Sequence, residues 1–472
     1  MVICLLRTIF APNSAAAKIA AAENKITVMK FYNREKELTL LARTRELAFN
    51  NHSQMTVLTG RRRIGKTKLI LKSCAETPTV YLFVSRNTEA YLCNRFAETA
   101  GKALDAFIQS EITSFVSLFE VLMGIGKHHP FNLVIDEFQE FFYINQAIFS
   151  GMQDVWDRYK DTTRVNFIAS GSVYTLMRRI FLAYKEPLYG RCDSIIKLQP
   201  FPPSVVKEIF SDYSKSFTND DLLALYAFTG GVPKYVEILL DRGCLTMNDM
   251  ANCIVQENSI FLEEGNILLI QEFGKKYGSY YTILSAIASG RNTAAEISAA
   301  IGNESVGGLL QRLEVDYELI SKKRPILAKE GSQTVRYEIA DHFIRFWFRY
   351  IVKHQDFVQS GLFYALSEIV KSDYPTYSGL VLESYFREQL KEKQLFSHIG
   401  SWWDNTRAKD NPQNELDIVA IYAEQKKVLI AEVKRRRKNF KPELLQQKIE
   451  AIRTKLFFDY EIETACLTLE DM

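Results

Sequence analysis

Between residues 31 and 203 the apolar positions fall into short, β-branched runs separated by stretches with helical spacing. The runs are residues 55–59, 80–84, 133–135 and 167–169, each flanked by polar residues. None alternates apolar with polar, as expected of strands covered on both faces. Such strands alternating with amphipathic helices predict a parallel α/β sheet. From 204 to 272 the pattern is helical, with one strong break at Gly230-Gly231-Val232-Pro233.

From 273 to 353 the rhythm changes. Residues 281–288, 294–301 and 306–319 read as three short amphipathic helices, with caps and turns at Asn292-Thr293 and Asn303-Glu304-Ser305. Residues 320–322 and 335–339 can pair as a hairpin around a basic, glycine-containing loop. Three helices and a hairpin predict a winged helix-turn-helix, followed by an aromatic helix over 343–350. In the last stretch a long helix around 379–391 leads to strands at 415–422 and 427–433, joined by a turn at Ala423-Glu424-Gln425-Lys426.

Onto this frame fall two clusters of chemistry. Gly60-Arg61-Arg62-Arg63-Ile64-Gly65-Lys66-Thr67 fits GxxxxGK[ST], with a strand before it and an apolar helix after it. Glycines let backbone N–H groups wrap phosphates, and the helix N-terminus adds its dipole. Lys66 would neutralise the β- and γ-phosphates of ATP, and the Thr67 hydroxyl would ligate Mg²⁺. Lys68 completes the set lining the nucleotide. The apolar strand ending in Asp136-Glu137 supplies a second Mg²⁺ contact in Asp136 and a water-polarising carboxylate in Glu137. At the end of the 167–169 strand, Ser170 or Ser172 either senses the γ-phosphate or belongs to a plain turn. Arg191 is either an arginine finger aimed at a neighbouring copy or a surface residue. Arg61 to Arg63 are phosphate-loop residues whose side chains the sequence also allows as a solvated surface.

The second cluster is Glu415-Leu416-Asp417 on one strand and Glu432-Val433-Lys434 on the next. Period-two alternation puts Glu432 and Lys434 on one sheet face, and Asp417 can share it. Two carboxylates there can bind Mg²⁺ while Lys434 orients or deprotonates a water. The arrangement resembles PD-(D/E)xK nucleases, with Leu416 where that pattern has proline. Glu383 matches the extra acidic position that the resemblance implies, as a third metal ligand. Arg435-Arg436-Arg437-Lys438 and Lys441 follow, suited to a phosphate backbone or to solvent. The 306–319 helix carries Glu314, Asp316 and Glu318 against Arg312, a poor match to a DNA groove, so the winged helix reads better as a scaffold. Lys322, Lys323 and Arg324 near the wing could touch phosphates.

Composition changes the picture little. The chain has 472 residues, too many for one core, and 47% are hydrophobic and 24% charged, ordinary for a globular protein. A net charge of +3 is balanced for this length. Seven scattered cysteines without a CxxC predict reduced thiols in the cytoplasm rather than disulfides or a zinc site. No run approaches the ~20 apolar residues of a membrane span. Residues 1–28, apolar and then alanine-rich, are expected to be a targeting segment, a disordered tail or an over-extended start before Met29.

The whole resembles the prokaryotic, archaeal-type AAA/STAND ATPases with a C-terminal nuclease-like domain of unknown function. The resemblance is carried by Phe31 to Leu38 (an N-terminal box near the adenine), the two nucleotide motifs, the 167–172 strand, Gly190-Arg191 with Leu198-Gln199-Pro200-Phe201, Gly230 to Tyr235 (the lid motif), and Ile339 to Arg349. It implies an α/β P-loop NTPase core over 29–203, a helical lid over 204–272, a winged helix over 273–353 and an α/β restriction-endonuclease-like domain over 354–472. ATP and Mg²⁺ are the expected cofactors. Nucleic acid is the expected partner, DNA ahead of RNA, with a homo-oligomer if Arg191 acts between copies and no membrane. The competing expectation is a nucleotide switch whose C-terminal domain only binds.

Overall fold

The computed structural model describes residues 29–472 except 109–110, 274–276, 330, 333 and 405–414. The expected extension over 1–28 lies outside the described residues. The first sheet has five strands in the order β2-β3-β4-β1-β5, every neighbouring pair parallel. They are β1 Gln54–Thr59, β2 Thr79–Phe83, β3 Phe131–Asp136, β4 Val165–Gly171 and β5 Ser194–Lys197. Every residue of β1, β3 and β4 is buried, which explains why these three show no alternation. One apolar cluster covers one face through Val57, Leu133 and Ala169, and another covers the opposite face through Leu58, Val134 and Ile168. β5 was not expected: it is a short edge strand with only Ile196 buried, so it leaves no apolar run.

Helices Pro203–Tyr213, Asn219–Thr229, Pro233–Asp241, Met247–Ile254 and Ile260–Phe273 follow. Gly230 and Gly231 break the second from the third, at φ 61° and 71°. A Cβ at Gly231 would stand 2.3 Å from the Phe201 carbonyl oxygen, so that position requires glycine. Next come helices Tyr277–Ala288, Ala294–Ala300 and Gly307–Val315, then the antiparallel hairpin of β6 Ile320–Lys323 and β7 Arg336–Ile339. The third helix ends short of the expected 319, and Glu318 turns at φ 51°. The aromatic stretch is a short α-helix, His342–Phe346, running into a π-helix, Trp347–Val352. The long helix spans Phe363–Glu392, reads through Pro375, and so starts well before the expected 379.

The last sheet has the order β11-β10-β9-β8. β9 Glu415–Tyr422 and β10 Lys427–Val433 fall on the expected residues; β8 Phe396–Trp403 and β11 Glu461–Leu467 flank them. β11 pairs parallel to β10, with helix Pro442–Leu456 as the crossover. One continuous apolar core runs from Met29, Tyr32 and Phe201 through the helices after 203, the hairpin and the long helix to Met472. That packing crosses the expected boundaries at 272 and 353. Among the described residues no helix is long and apolar enough to cross a membrane.

Candidate functional site

The loop after β1 turns at Gly60 (φ 151°) and Gly65 (φ 94°), conformations that side chains rarely adopt. It delivers Lys66 and Thr67 to the start of helix Lys66–Ser73, at the carboxyl edge of the sheet where such folds bind ligands. Lys66 Nζ donates to the carbonyls of Gly60 (2.7 Å) and Arg61 (3.2 Å). Burial lowers its pKa to about 8, against the opposing pull of Glu137, Asp136 and Glu272. Thr67 Oγ1 donates to Asp136 Oδ2 at 3.3 Å, and the Tyr81 hydroxyl donates to the same oxygen at 2.5 Å. Glu137 Oε2 accepts from Ser172 Oγ (2.7 Å) and Gln139 Nε2 (2.5 Å). Of the two candidate serines, then, Ser172 reaches the Glu137 carboxylate, while the buried Ser170 hydroxyl has no hydrogen-bond partner among the described residues.

Lys66, Thr67, Asp136, Glu137 and Ser172 line a cavity of about 630 Å³ together with Phe31, Tyr32, Phe201 and Pro233. Its size lies within the ~300–1,000 Å³ usual for small-molecule sites. Apolar rings at one end and a cationic loop at the other suit a base and its phosphates. Arg34 braces the ring end, donating to the Gln199 carbonyl at 2.6 Å with its guanidinium over Phe201. Thr67 and Asp136 offer hard oxygen donors, which suits Mg²⁺, a cation that takes one or two protein ligands and completes its shell with phosphate and water. Among the described residues no group of three or more His, Cys, Asp or Glu could hold a metal by itself.

The loop arginines do different things. Arg63 Nη2 pairs with Glu264 at 2.9 Å, and the fully buried Glu264 also accepts from the Tyr235 hydroxyl at 2.9 Å. Arg61 ion-pairs with Asp341 and donates to Tyr235 Oη at 3.2 Å. Neither is the solvated surface that the sequence allowed. Arg62 has no hydrogen bond or ion pair among the described residues. Lys68 pairs with Glu237 at 3.1 Å, which also takes Lys234 at 2.8 Å, so the helix beginning Pro233-Lys234 is tied to the phosphate-loop helix. Ile64 is buried against the sheet. Arg191 is held within its own chain, by Asp157 at 2.8 Å and by the carbonyls of Pro187 (2.8 Å) and Tyr189 (3.1 Å).

In the last sheet, Asp417, Glu432 and Lys434 come together. Lys434 Nζ lies 2.9 Å from Glu432 Oε1 and 3.5 Å from Asp417 Oδ2, and Asp417 Oδ2 accepts the Val433 N–H at 2.8 Å. Lys448, from helix Pro442–Leu456, donates to both Glu432 oxygens at 3.1 and 3.2 Å. Glu383 lies 3.5 Å from Arg387, which donates to the Asp417 carbonyl at 3.0 Å. Burial, with Asp417 second, raises the Glu383 carboxyl to about 8. Burial and then Glu432 raise Asp417. Of the basic run, Arg435 pairs with Asp220 at 2.8 Å and Arg437 with Asp471 at 3.1 Å, so part of it serves internal packing.

Sequence reasoning missed Tyr81, Glu264 and Lys448, and took Tyr235 and Asp341 only as residues of the matching motifs. Of the three missed, Glu264 left a trace, beside Glu263 inside the apolar run around residues 260–270.

Comparison with known proteins supports the same frame. Residues 31–239 match an ATPase domain predominantly from Archaea, and residues 347–450 match a family described as Archaea bacterial proteins of unknown function. An uncharacterized protein of Methanocaldococcus jannaschii is 30% identical over 414 residues, covering 86% of this chain and 87% of its own. Among solved structures, the Walker-type ATPase of Pyrococcus abyssi aligns with a TM-score of 0.52 at 19% identity, over 68% of this chain and 96% of that one. The ORC2 protein of Aeropyrum pernix aligns at 0.48 and 15% identity, over 69% and 94%.

Proposed function

Since the chain belongs to the archaeal-type ATPase family, we propose that it binds and hydrolyses ATP with Mg²⁺ and thereby gates its C-terminal unit. Lys66 faces the β- and γ-phosphates, with the loop N–H groups around them. Thr67 and Asp136 hold Mg²⁺, which would screen the phosphate charge. Glu137 takes the proton of the attacking water, and Ser172 orients that carboxylate. We read residues 29–203 as the ATPase core, 204–272 as a lid, 273–353 as a winged helix and 354–472 as a nuclease-like domain. The observation that carries the gating is the double ion pair of the phosphate loop: Arg63 with Glu264 and Arg61 with Asp341. A phosphate arriving in the loop pulls on both.

For the C-terminal unit we propose a nuclease-like arrangement engaging nucleic acid, DNA ahead of RNA. Asp417 and Glu432 would hold a divalent ion and Lys434 a water, with Glu383 at the margin. The support is that Asp417, on β9, meets Glu432 and Lys434 at the end of the paired strand β10. A binding-only unit is the second reading, favoured by Lys448 and Lys434 already occupying Glu432. The test is cleavage of DNA and RNA with Mg²⁺ or Mn²⁺, with and without ATP. Loss of cleavage in Asp417→Ala, and loss of its ATP dependence in Lys66→Ala, is expected. No cleavage of any substrate, with ATP hydrolysis intact, selects the binding-only unit.

A further inference from the structure

Arg62 stands apart from its neighbours. Arg61, Arg63, Lys66 and Lys68 each have a partner on the chain, whereas Arg62 has none among the described residues. It sits mid-loop between Gly60 and Gly65, so its side chain leaves from the loop whose backbone is suited to wrap phosphates. It lines the nucleotide cavity together with Lys66, Glu137 and Ser172. It also lines an adjoining cavity of about 830 Å³ that shares Glu137 and Ser172, and a smaller one of about 240 Å³ that shares Ser172. Arg62 therefore lines all three spaces, two of which the Glu137 carboxylate also lines. The other arginine that the sequence offered for this role, Arg191, has its donors committed to Asp157 and two carbonyls.

We propose that Arg62 is a catalytic residue of the hydrolysis, acting in cis on the γ-phosphate of ATP held in its own loop. The proposal rests on the hydrolytic reading above. As the water oxygen bonds to the γ-phosphorus, the bond from that phosphorus to the β–γ bridging oxygen breaks. The electron pair leaves on ADP, and Glu137 receives the water's proton. Negative charge gathers on the bridging and equatorial oxygens, and a planar guanidinium with free N–H donors is suited to meet it. No neighbouring copy is needed, because the arginine and the phosphate share one loop.

The experiment compares full-length wild type, Arg62→Ala, Arg62→Lys and Arg191→Ala. It measures kcat, the Kd for ATP and for ADP, and trapping of ADP with aluminium fluoride, which mimics the transferring phosphoryl group. Arg62→Ala is expected to lose about 10³-fold in kcat and to lose the trapped complex, while ADP affinity stays within a few-fold of wild type. Arg62→Lys recovers little, lacking the planar fork, and Arg191→Ala turns over as wild type. Mixing Arg62→Ala with Glu137→Gln is expected to restore nothing. An Arg62→Ala protein that traps and turns over normally overturns the proposal, as does recovery on mixing, which would place the arginine in trans. A wild-type chain that binds ATP and never turns it over overturns the hydrolytic reading itself, and this role with it.

Discussion

Lys66 offers a test that needs only pH. Its ammonium is buried in a loop of carbonyls, and burial holds its pKa near 8 although Glu137, Asp136 and Glu272 favour the charge. ATP brings phosphates to that amine and restores its proton, so binding above pH 8 must take up a proton. With one linked group the apparent Kd scales as 1 + 10^(pH − 8). Binding should therefore weaken about tenfold between pH 7 and pH 9, close to 1.4 kcal/mol. Calorimetry in buffers of different ionisation enthalpy should report uptake of about half a proton at pH 8 and about a tenth at pH 7. Lys66→Arg keeps its charge throughout and should flatten the profile. The empty protein should show the opposite trend. Between pH 8 and the ordinary lysine value of 10.5, the unfolded chain holds a proton that the folded one has released, so folding stability rises with pH on this account. A Kd that stays constant from pH 7 to 9, or that falls off equally in Lys66→Arg, would refute the reasoning.

Other perturbations probe the contacts around the site. Glu264→Ala strands the Arg63 guanidinium and the Tyr235 hydroxyl in the interior, and should cost about 3–5 kcal/mol in denaturant titrations; the double change Arg63→Met with Glu264→Leu should recover most of that. Gly231→Ala drives a Cβ against the Phe201 carbonyl at a φ of 71°, and should lower stability by at least ~1–3 kcal/mol and weaken ATP binding. Lys448→Met removes one of the two ammonium groups on Glu432, freeing Oε2 and leaving Lys434 on Oε1. It should strengthen Mn²⁺ binding by the nucleotide-free chain about tenfold or more, read by electron paramagnetic resonance, with Asp417→Asn abolishing the gain.

The phosphate loop and the Asp136-Glu137 strand could be read because their chemistry is local: adjacent residues make the turn and end the strand. β9 and β10 were equally open, since both bury apolar residues and the turn between them is polar. β5 and β11 lie at sheet edges, and β11 carries three exposed residues among its seven, so neither leaves the apolar run of a central strand. The long helix was concealed by Pro375, a residue that removes a backbone donor and usually ends a helix. The partners of the loop arginines were out of reach for another reason. Glu264 and Asp341 lie some two and three hundred residues further along, and only tertiary packing brings them to Arg63 and Arg61. Glu432 fell where alternation put it, but the lysine spanning it comes from a helix whose spacing announces nothing.

The last residues of the chain and the turn after β10 are stitched back onto the helices after 203. Lys207 Nζ donates to the Met472 carbonyl at 2.9 Å, Asn219 to the Leu469 carbonyl at 2.7 Å, and Arg435 pairs with Asp220. With the shared apolar core, these ties make the helices after 203 and the last sheet parts of one packed body. A recombination joint between the two would bring together surfaces that never coadapted, leaving unmatched charges and exposed rings, so the unit of successful exchange between relatives is the lid together with its sheet.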